Sequence, residues 1–362
     1  MTIVNSSDAK TIYNNAINSV VTIMIRNANN TYSLGQGFFI DVPLPPFANY
    51  TYLLTAAHVV TDFTISSRPL ASNIWINTTF PTNTIYKING TTNRVIGVDK
   101  IADIALLRLD GLFPTIKYAN SRTECSIGDC VSMIGYPMGF DVQSITKGII
   151  RDNKAVPDSY FSGTGGAFPE SVMTDAEIYG GNSGGPLLIE DNSGNFVKWI
   201  GVLSWGVGTE ASVNGGVSSF LAKQIVDYFV ANYTTSVLSY PKGYLGIVTT
   251  PLDILLAVAR NLNRVEGYLV TSRDTLVAPA KFAIGDIILS INGVLLGQMN
   301  NLFPLFTAVH TSPPGTTLTV TYRPANNLNT ILTKTVTTVA MPASRDVIFS
   351  GYRSLQNNLI AK

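Results

Sequence analysis

The chain has 362 residues, of which 13% are charged, where typical soluble proteins carry about 25%. With 46% apolar and 10% aromatic residues, it has too much to bury for a disordered segment. The 24 basic and 23 acidic residues nearly cancel to a net +1, so no broad field exists to hold nucleic acid or anionic lipid. No apolar run approaches the ~18 residues of a membrane span, and the start, MTIVNSSDAKTIYNNAINSVV, lacks the basic and apolar regions of a signal peptide. The compartment therefore stays open, cytosolic or virion-associated included. Two Cys and two His leave almost no room for a structural zinc site, which takes four N or S ligands, and limit imidazole chemistry to two candidates. No metal and no cofactor is expected.

The first two-thirds reads as β-structure, with short runs rich in Val, Ile, Thr and Tyr between Gly, Pro, Asn and Ser clusters. Strands are predicted at 20–25, 36–40, 52–56, 73–77, 104–109, 131–135 and 199–205. Their even spacing favours a barrel or sandwich over βαβ units. A helix is predicted at 221–231, where Ile225, Val226, Phe229 and Val230 share a face. Residues 232–242 read as a linker. Beyond it the pattern turns to mixed α and β: a strand at 244–249, a helix at 252–262 opened by Pro251, and strands at 267–271 and 286–291. A turn at Asn292–Gly293, a helix at 301–309 and a strand at 317–322 follow. The polar tail from 341 reads as a surface drape. Six Asn-x-Ser/Thr matches, at Asn5, Asn29, Asn49, Asn77, Asn89 and Asn232, are what so Asn- and Thr-rich a chain gives by chance.

Three segments carry chemistry. His58 lies in TAAHVV, just after a predicted strand; Asp103 opens DIALLRL; Ser183 sits in GGNSGGPLL, a glycine-rich turn leading into an apolar strand. A serine hydroxyl needs an imidazole to take its proton as it attacks. The imidazole needs a carboxylate to fix its tautomer and stabilise its cation. Backbone N–H groups converging on an oxyanion need turns that glycine permits. The order His, Asp, Ser is that of the chymotrypsin-like arrangement, distinct from the subtilisin and α/β-hydrolase orders.

These segments resemble the trypsin-like serine proteases, and others narrow the resemblance to the HtrA (high-temperature-requirement) group. SIGDCVSMIGYPMGF, residues 126–140, is similar to that group's G-D-x-V-x-x-I-G-x-P-x-G stretch, and TDAEIYGGNSGGPL, residues 174–187, to its T-D-A-x-I-x-x-G-N-S-G-G stretch. AINSVVTI, residues 16–23, matches its first strand. After the linker, GYLGI (243–247) resembles the carboxylate-binding loop of a PDZ domain, and FAIGDIILSINGVLL (282–296) resembles that domain's strand and turn. The resemblance covers roughly residues 13–340.

It implies a mainly β fold of two six-stranded antiparallel barrels, chymotrypsin-like, over residues 1–235, then an α+β PDZ domain over 236–345 and a tail over 346–362. It implies Ser183 as nucleophile, His58 as general base and acid, Asp103 as orienting carboxylate, and an oxyanion hole from the N–H groups of Gly181 and Ser183 with Asn182 between them. LSWGVG, residues 203–208, resembles the strand lining the substrate channel, with Ser204 near Asp103 and Ser204, Trp205 and Gly206 pairing with substrate. Its SWG is closer to digestive proteases than to the HtrA pattern. Glu177 stands where that pattern has a small residue; it reads either as a specificity residue beside Ile178 or as a solvated loop carboxylate. Tyr244, Leu245, Gly246 and Ile247 would form the PDZ loop, holding C-terminal peptides.

The implied activity is endoproteolysis of unfolded or damaged polypeptides, by a homotrimer built through the N-terminal segment around Tyr13. Two other classes stay open: a chaperone-like binding protein whose catalytic apparatus is held at rest, and a dedicated processing or assembly protease, including a viral one. A casein digest with a serine-directed organophosphonate separates the first from a protease. Cys125 and Cys130, five apart across a turn, are either a small local disulfide or two free thiols. His310, in AVHTSPPG, has no partner motif and reads as an ordinary residue.

Overall fold

The structure is a computed structural model and describes residues 9–42, 49–65, 67–79, 81–136, 144–155, 170–190, 197–207, 213–274, 281–296 and 305–341. The described residues up to 153 and from 171 to 240 form one compact unit, and those from 241 to 341 another. In the first, a helix α1 (Ala9–Ala16) precedes strands β1 (Val20–Arg26), β2 (Tyr32–Ile40) and β3 (Tyr50–Thr55), then a one-turn helix α2 (Ala57–Val60). Strands β4 (Asn73–Thr78), β5 (Thr84–Lys87), β6 (Arg94–Asp99) and β7 (Ile104–Asp110) complete an antiparallel sheet of order β5-β4-β1-β2-β3-β7-β6.

A second sheet follows from β8 (Lys117–Tyr118), β9 (Cys130–Gly135), β10 (Ser144–Ala155), β11 (Ser171–Thr174), β12 (Pro186–Glu190), β13 (Val197–Val207) and β14 (Val213–Ser218). Its order is β12-β9-β10-β11-β14-β13-β8, and β12 also pairs with β13, so six of its strands close into a barrel. The expectation of two six-stranded barrels is corrected in the first half. That sheet has seven strands, and among the described residues its edges β5 and β6 do not pair. The result is a closed barrel beside a half-barrel, consistent with a chymotrypsin-like fold.

Burial explains why these runs become strands here. Strand β7 is buried on both faces through Leu107, and Phe38, Phe39, Leu53 and Leu54 are fully buried on β2 and β3. The ring of Trp199 on β13 meets Phe38 edge-on at 5.6 Å between centroids, so one apolar cluster spans both sheets. Helix α3 (Ser219–Ala231) closes it with Leu221, Ile225, Val226 and Phe229, all fully buried. Ser218 caps α3 by accepting from the Leu221 N–H. The segment read as a linker instead joins this core at its end: Leu238 bridges Gly97, and Tyr240 is buried.

The second unit holds β15 (Gly243–Tyr244), β16 (Ile247–Pro251), α4 (Ile254–Val258), β17 (Tyr268–Arg273), β18 (Ile287–Ile291), β19 (Val294–Leu295), α5 (Leu305–His310), β20 (Thr317–Arg323), β21 (Leu332–Thr337) and β22 (Val339–Ala340). Strands run in the order β16-β17-β18-β20-β21, with β19 on β18, and β15 pairs with β22. Its core gathers Leu245, Ile247, Ile288, Leu318 and Val320 under Leu305, Ala308 and Val309 of α5. The single strand expected at 244–249 is broken at Leu245–Gly246. The helix expected from Pro251 starts later, because Pro251 ends β16 and Asp253 supplies the cap to the Leu256 N–H. Asn292 and Gly293 both take positive φ, 50° and 79°, as a tight hairpin turn demands.

The thiols do not join. Cys125 is buried and donates to the Ser121 carbonyl, while Cys130 is exposed, and both are free. Tyr13 rests against the core of the first unit. The His310 side chain, the tail from 342 and Gly208 lie outside the described residues.

Candidate active site

His58 is presented by α2, the single turn that follows β3. Its ring Nδ1 lies 2.8 Å from Asp103 Oδ2, and its backbone N–H donates to Oδ1 of the same carboxylate at 2.9 Å. An ionised carboxylate only accepts, so Nδ1 carries the proton and Nε2 is the basic nitrogen. Asp103 itself is 2% exposed and holds φ at +60° immediately before β7. Ser204 of β13 donates to Asp103 Oδ2 at 2.5 Å. The carboxylate is thus gripped by both halves of the unit.

Ser183 sits at the tip of a tight turn. The Asn182 N–H donates to the Tyr179 carbonyl and the Gly185 N–H to the Asn182 carbonyl, each at 3.1 Å, with Gly181 and Gly184 at φ of 96° and 85°. The Asn182 N–H is therefore spent inside the turn. The turn is anchored from two sides: Gln36 of β2 donates its N–H to the Ser183 carbonyl at 2.7 Å, and the Gly184 N–H donates to Leu203 of β13 at 2.8 Å. Ser183 and His58 stay partly exposed while Asp103 is buried. Val59, next to His58, and the Ser183 carbonyl both lie against Gly35 of β2, which brings the helix bearing the imidazole and the turn bearing the hydroxyl to one patch. Imidazole and buried carboxylate are thus joined directly, and the turn bearing the Ser183 hydroxyl lies against the same β2 residue as the helix bearing His58.

The expected substrate-side residues separate. Ile178 packs against the barrel cluster that contains Leu187 and Leu203. Trp205 is buried and donates from Nε1 to Ser171 Oγ, and Gly206 pairs with Asn214 across β14. Glu177 is exposed and accepts from the Tyr179 hydroxyl at 2.6 Å. It lines a shallow cleft of about 560 Å³ with Thr146, Lys147, Gly148, Ile149 and Asp175. Asn214, which no motif marked, fixes this segment by donating to the Ala176 carbonyl at 2.8 Å. Among the described residues no cluster of His, Cys, Asp and Glu could hold a metal ion, and no helix is long and apolar enough to cross a membrane.

In the second unit, Tyr244 ends β15, Gly246 turns at φ 73°, and Ile247 opens β16. Asp274 fastens this turn, donating its N–H to the Gly246 carbonyl and accepting from the Tyr244 hydroxyl at 3.0 Å.

With this geometry in hand, comparison with known proteins is specific. Residues 35–197 match the family model of the trypsin-like peptidase domain. The chain is 27% identical over 272 residues to a Chlamydia trachomatis protein named "Probable periplasmic serine endoprotease DegP-like", covering 73% of this chain and 48% of that one. It is 30% identical over 270 residues to a protein of the same name from Pseudomonas savastanoi, again covering 73% and 48%. The chain spans about half the length of the curated relatives it matches. Among solved structures it resembles the serine endoprotease of Yersinia pestis, with a TM-score of 0.59 at 22% identity over 93% of this chain and 100% of the other. It also resembles the HtrA-type protease AlgW, with a TM-score of 0.66 at 21% identity over 92% and 98%. The likeness to the solved structures, at 21–22% identity, is one of fold, and the match over residues 35–197 is to a trypsin-like peptidase domain.

Proposed function

We propose that the chain is a serine endopeptidase that cleaves polypeptides through an acyl-enzyme. The observation that carries this reading is the double grip of Asp103 on His58, with the Ser183 turn lodged beside it on β2. In the proposed mechanism His58 Nε2 takes the Ser183 proton as Oγ attacks the scissile carbonyl. The Asp103 carboxylate stabilises the imidazolium that results. The N–H groups of Gly181 and Ser183 receive the oxyanion, and His58 returns the proton to the leaving amine. Substrate adds as a strand along Ser204–Gly206. Unfolded or damaged chains suit such main-chain pairing, since they offer extended backbone.

The second unit fits a PDZ reading. Strand β16 is an edge of its sheet, so an extended chain end can pair with it while its carboxylate meets the backbone N–H groups of the Tyr244–Ile247 turn. Assembly into a homotrimer completes the proposal, resting on the resemblance alone.

The test is a casein digest by the wild type and by Ser183→Ala, with organophosphonate labelling of both. Casein cleavage and labelling confined to the wild type are expected. Equal digestion by Ser183→Ala would overturn the assignment.

A further inference from the structure

Gln36 is polar, fully buried, and lies in the middle of β2, where an apolar side chain satisfies burial at lower cost. Three of its groups reach the proposed machinery. Its N–H donates to the Ser183 carbonyl at 2.7 Å. Its carbonyl accepts from Thr55 Oγ1, at the end of the strand that leads into the His58 helix. Its side-chain Nε2 donates to Asn182 Oδ1 at 3.3 Å, and Asn182 is 3% exposed. The other side-chain atom, Oε1, is buried with no hydrogen-bond partner among the described residues.

The surroundings are shaped to this amide pair. A Cβ on Gly135 of β9 would run into both Asn182 Oδ1 and Gln36 Nε2, and a Cβ on Gly185 would run into Gln36 Oε1. Gly135 belongs to the IGYP motif, whose glycine the catalytic reading leaves unexplained. Here it is the floor on which two carboxamides meet. The floor comes from β9, one amide from β2 and the other from the serine turn, so the contact closes only when both sheets are in register.

We propose that Gln36 is a positioning residue that sets the direction of the Gly181–Ser183 N–H groups by holding the Asn182 side chain between them. This rests on the reading of Ser183 as nucleophile. Asn182 spends its N–H on Tyr179 and its carbonyl accepts from Gly185, both bonds inside the turn, so its side chain is what ties these peptide planes to β2. Release of the side chain leaves only the bonds within the turn to hold its orientation, and the two N–H groups drift from their common target. Gln36 touches no reacting atom. Its effect passes through Asn182.

Gln36→Met keeps volume and burial while deleting the amide, and the backbone N–H to Ser183 survives. For a chromogenic peptide substrate, kcat is expected to fall about tenfold to thirtyfold, less than the 10²–10³ that follows removal of a whole oxyanion donor. KM is expected to move less than twofold, because binding along β13 is untouched. A peptide boronate, which occupies the oxyanion position as a tetrahedral adduct, should weaken in parallel with kcat, and active-site titration should still count every molecule. Hydrogen exchange should rise in residues 179–185 and stay unchanged in β1 and α3. Gly135→Ala, which crowds the same pair, should reproduce the kcat loss. Unchanged kcat, a titratable fraction that falls instead of kcat, or unchanged exchange at 179–185 would overturn the proposal. If the wild type neither cleaves nor labels, the peptidase reading fails, and the exchange comparison alone then decides whether Gln36 holds the turn.

Discussion

Ser204 and His58 meet on one oxygen: Asp103 Oδ2 accepts from Ser204 Oγ at 2.5 Å and faces His58 Nδ1 at 2.8 Å. The other oxygen takes the His58 backbone N–H. A buried carboxylate that takes three donors has its oxygens satisfied without solvent.

Replacement of Asp103 can therefore be separated from damage to the fold. Asn tolerates the positive φ of Asp103 far better than branched residues do. Asp103→Asn should keep thermal stability within a few degrees while kcat falls by about 10⁴, since the amide supports the wrong imidazole tautomer. Asp103→Val should lower stability as well. Melting curves beside peptide hydrolysis check both, and a fully active Asp103→Asn would contradict the triad.

Glu177 offers a second test. It is exposed and engaged by the Tyr179 hydroxyl, whose own ionisation is pushed upward by that carboxylate. Profiling of cleavage sites before and after Glu177→Ala should show the same side-chain preference, within about twofold, for a solvent-facing group of this kind. A new tolerance or loss of Lys and Arg would show that the carboxylate turns inward when substrate binds.

The thiols predict an alkaline effect. Burial, reinforced by the Asp129 carboxylate, pushes Cys125 from 9.0 up to about 12, whereas Cys130 is exposed. In native protein at pH 8, iodoacetamide should modify Cys130 alone, and both thiols only after unfolding. Because the folded value is the higher one, the contribution to stability is complete below pH 9 and is lost as pH rises toward 12. Cys125→Ala should flatten the stability decline between pH 8 and 10 by about 1 kcal/mol. Urea midpoints at the two pH values measure it.

For the second unit, a peptide ending in an apolar residue with a free carboxylate should bind the 362-residue chain carrying Ser183→Ala near the micromolar range, about −8 kcal/mol. Its amidated form should bind at least tenfold more weakly. Equal affinities would show that the Tyr244–Ile247 turn does not read a chain end.

The chemistry-bearing segments were legible because each is local: TAAH, DIALL and GNSGGP fold as a strand end, a strand start and a turn. What the sequence concealed depends on distant neighbours. Strand β14 reads as a loop through Gly215 and Gly216, yet those glycines are strand residues because a Cβ there would strike the Trp205 ring and the Val202 carbonyl. Strand β10 hides among Lys147, Arg151 and Lys154, having a half-exposed face with no clean alternation. Gln36 looked like one polar residue in a strand, and Asn182 lies 146 positions away. The helix α1 went unread because only Ile12 and Ala16 are buried along it.

The distance between Gln36 and the serine turn also sets a timetable. The carbonyl of Ser183 is tied to the second strand of the chain, and Gly184 to a strand that ends after residue 203. Contacts so far apart in sequence form late, after the local hairpins. A chain emerging from the ribosome therefore displays His58 and Asp103 long before it can present an ordered Ser183.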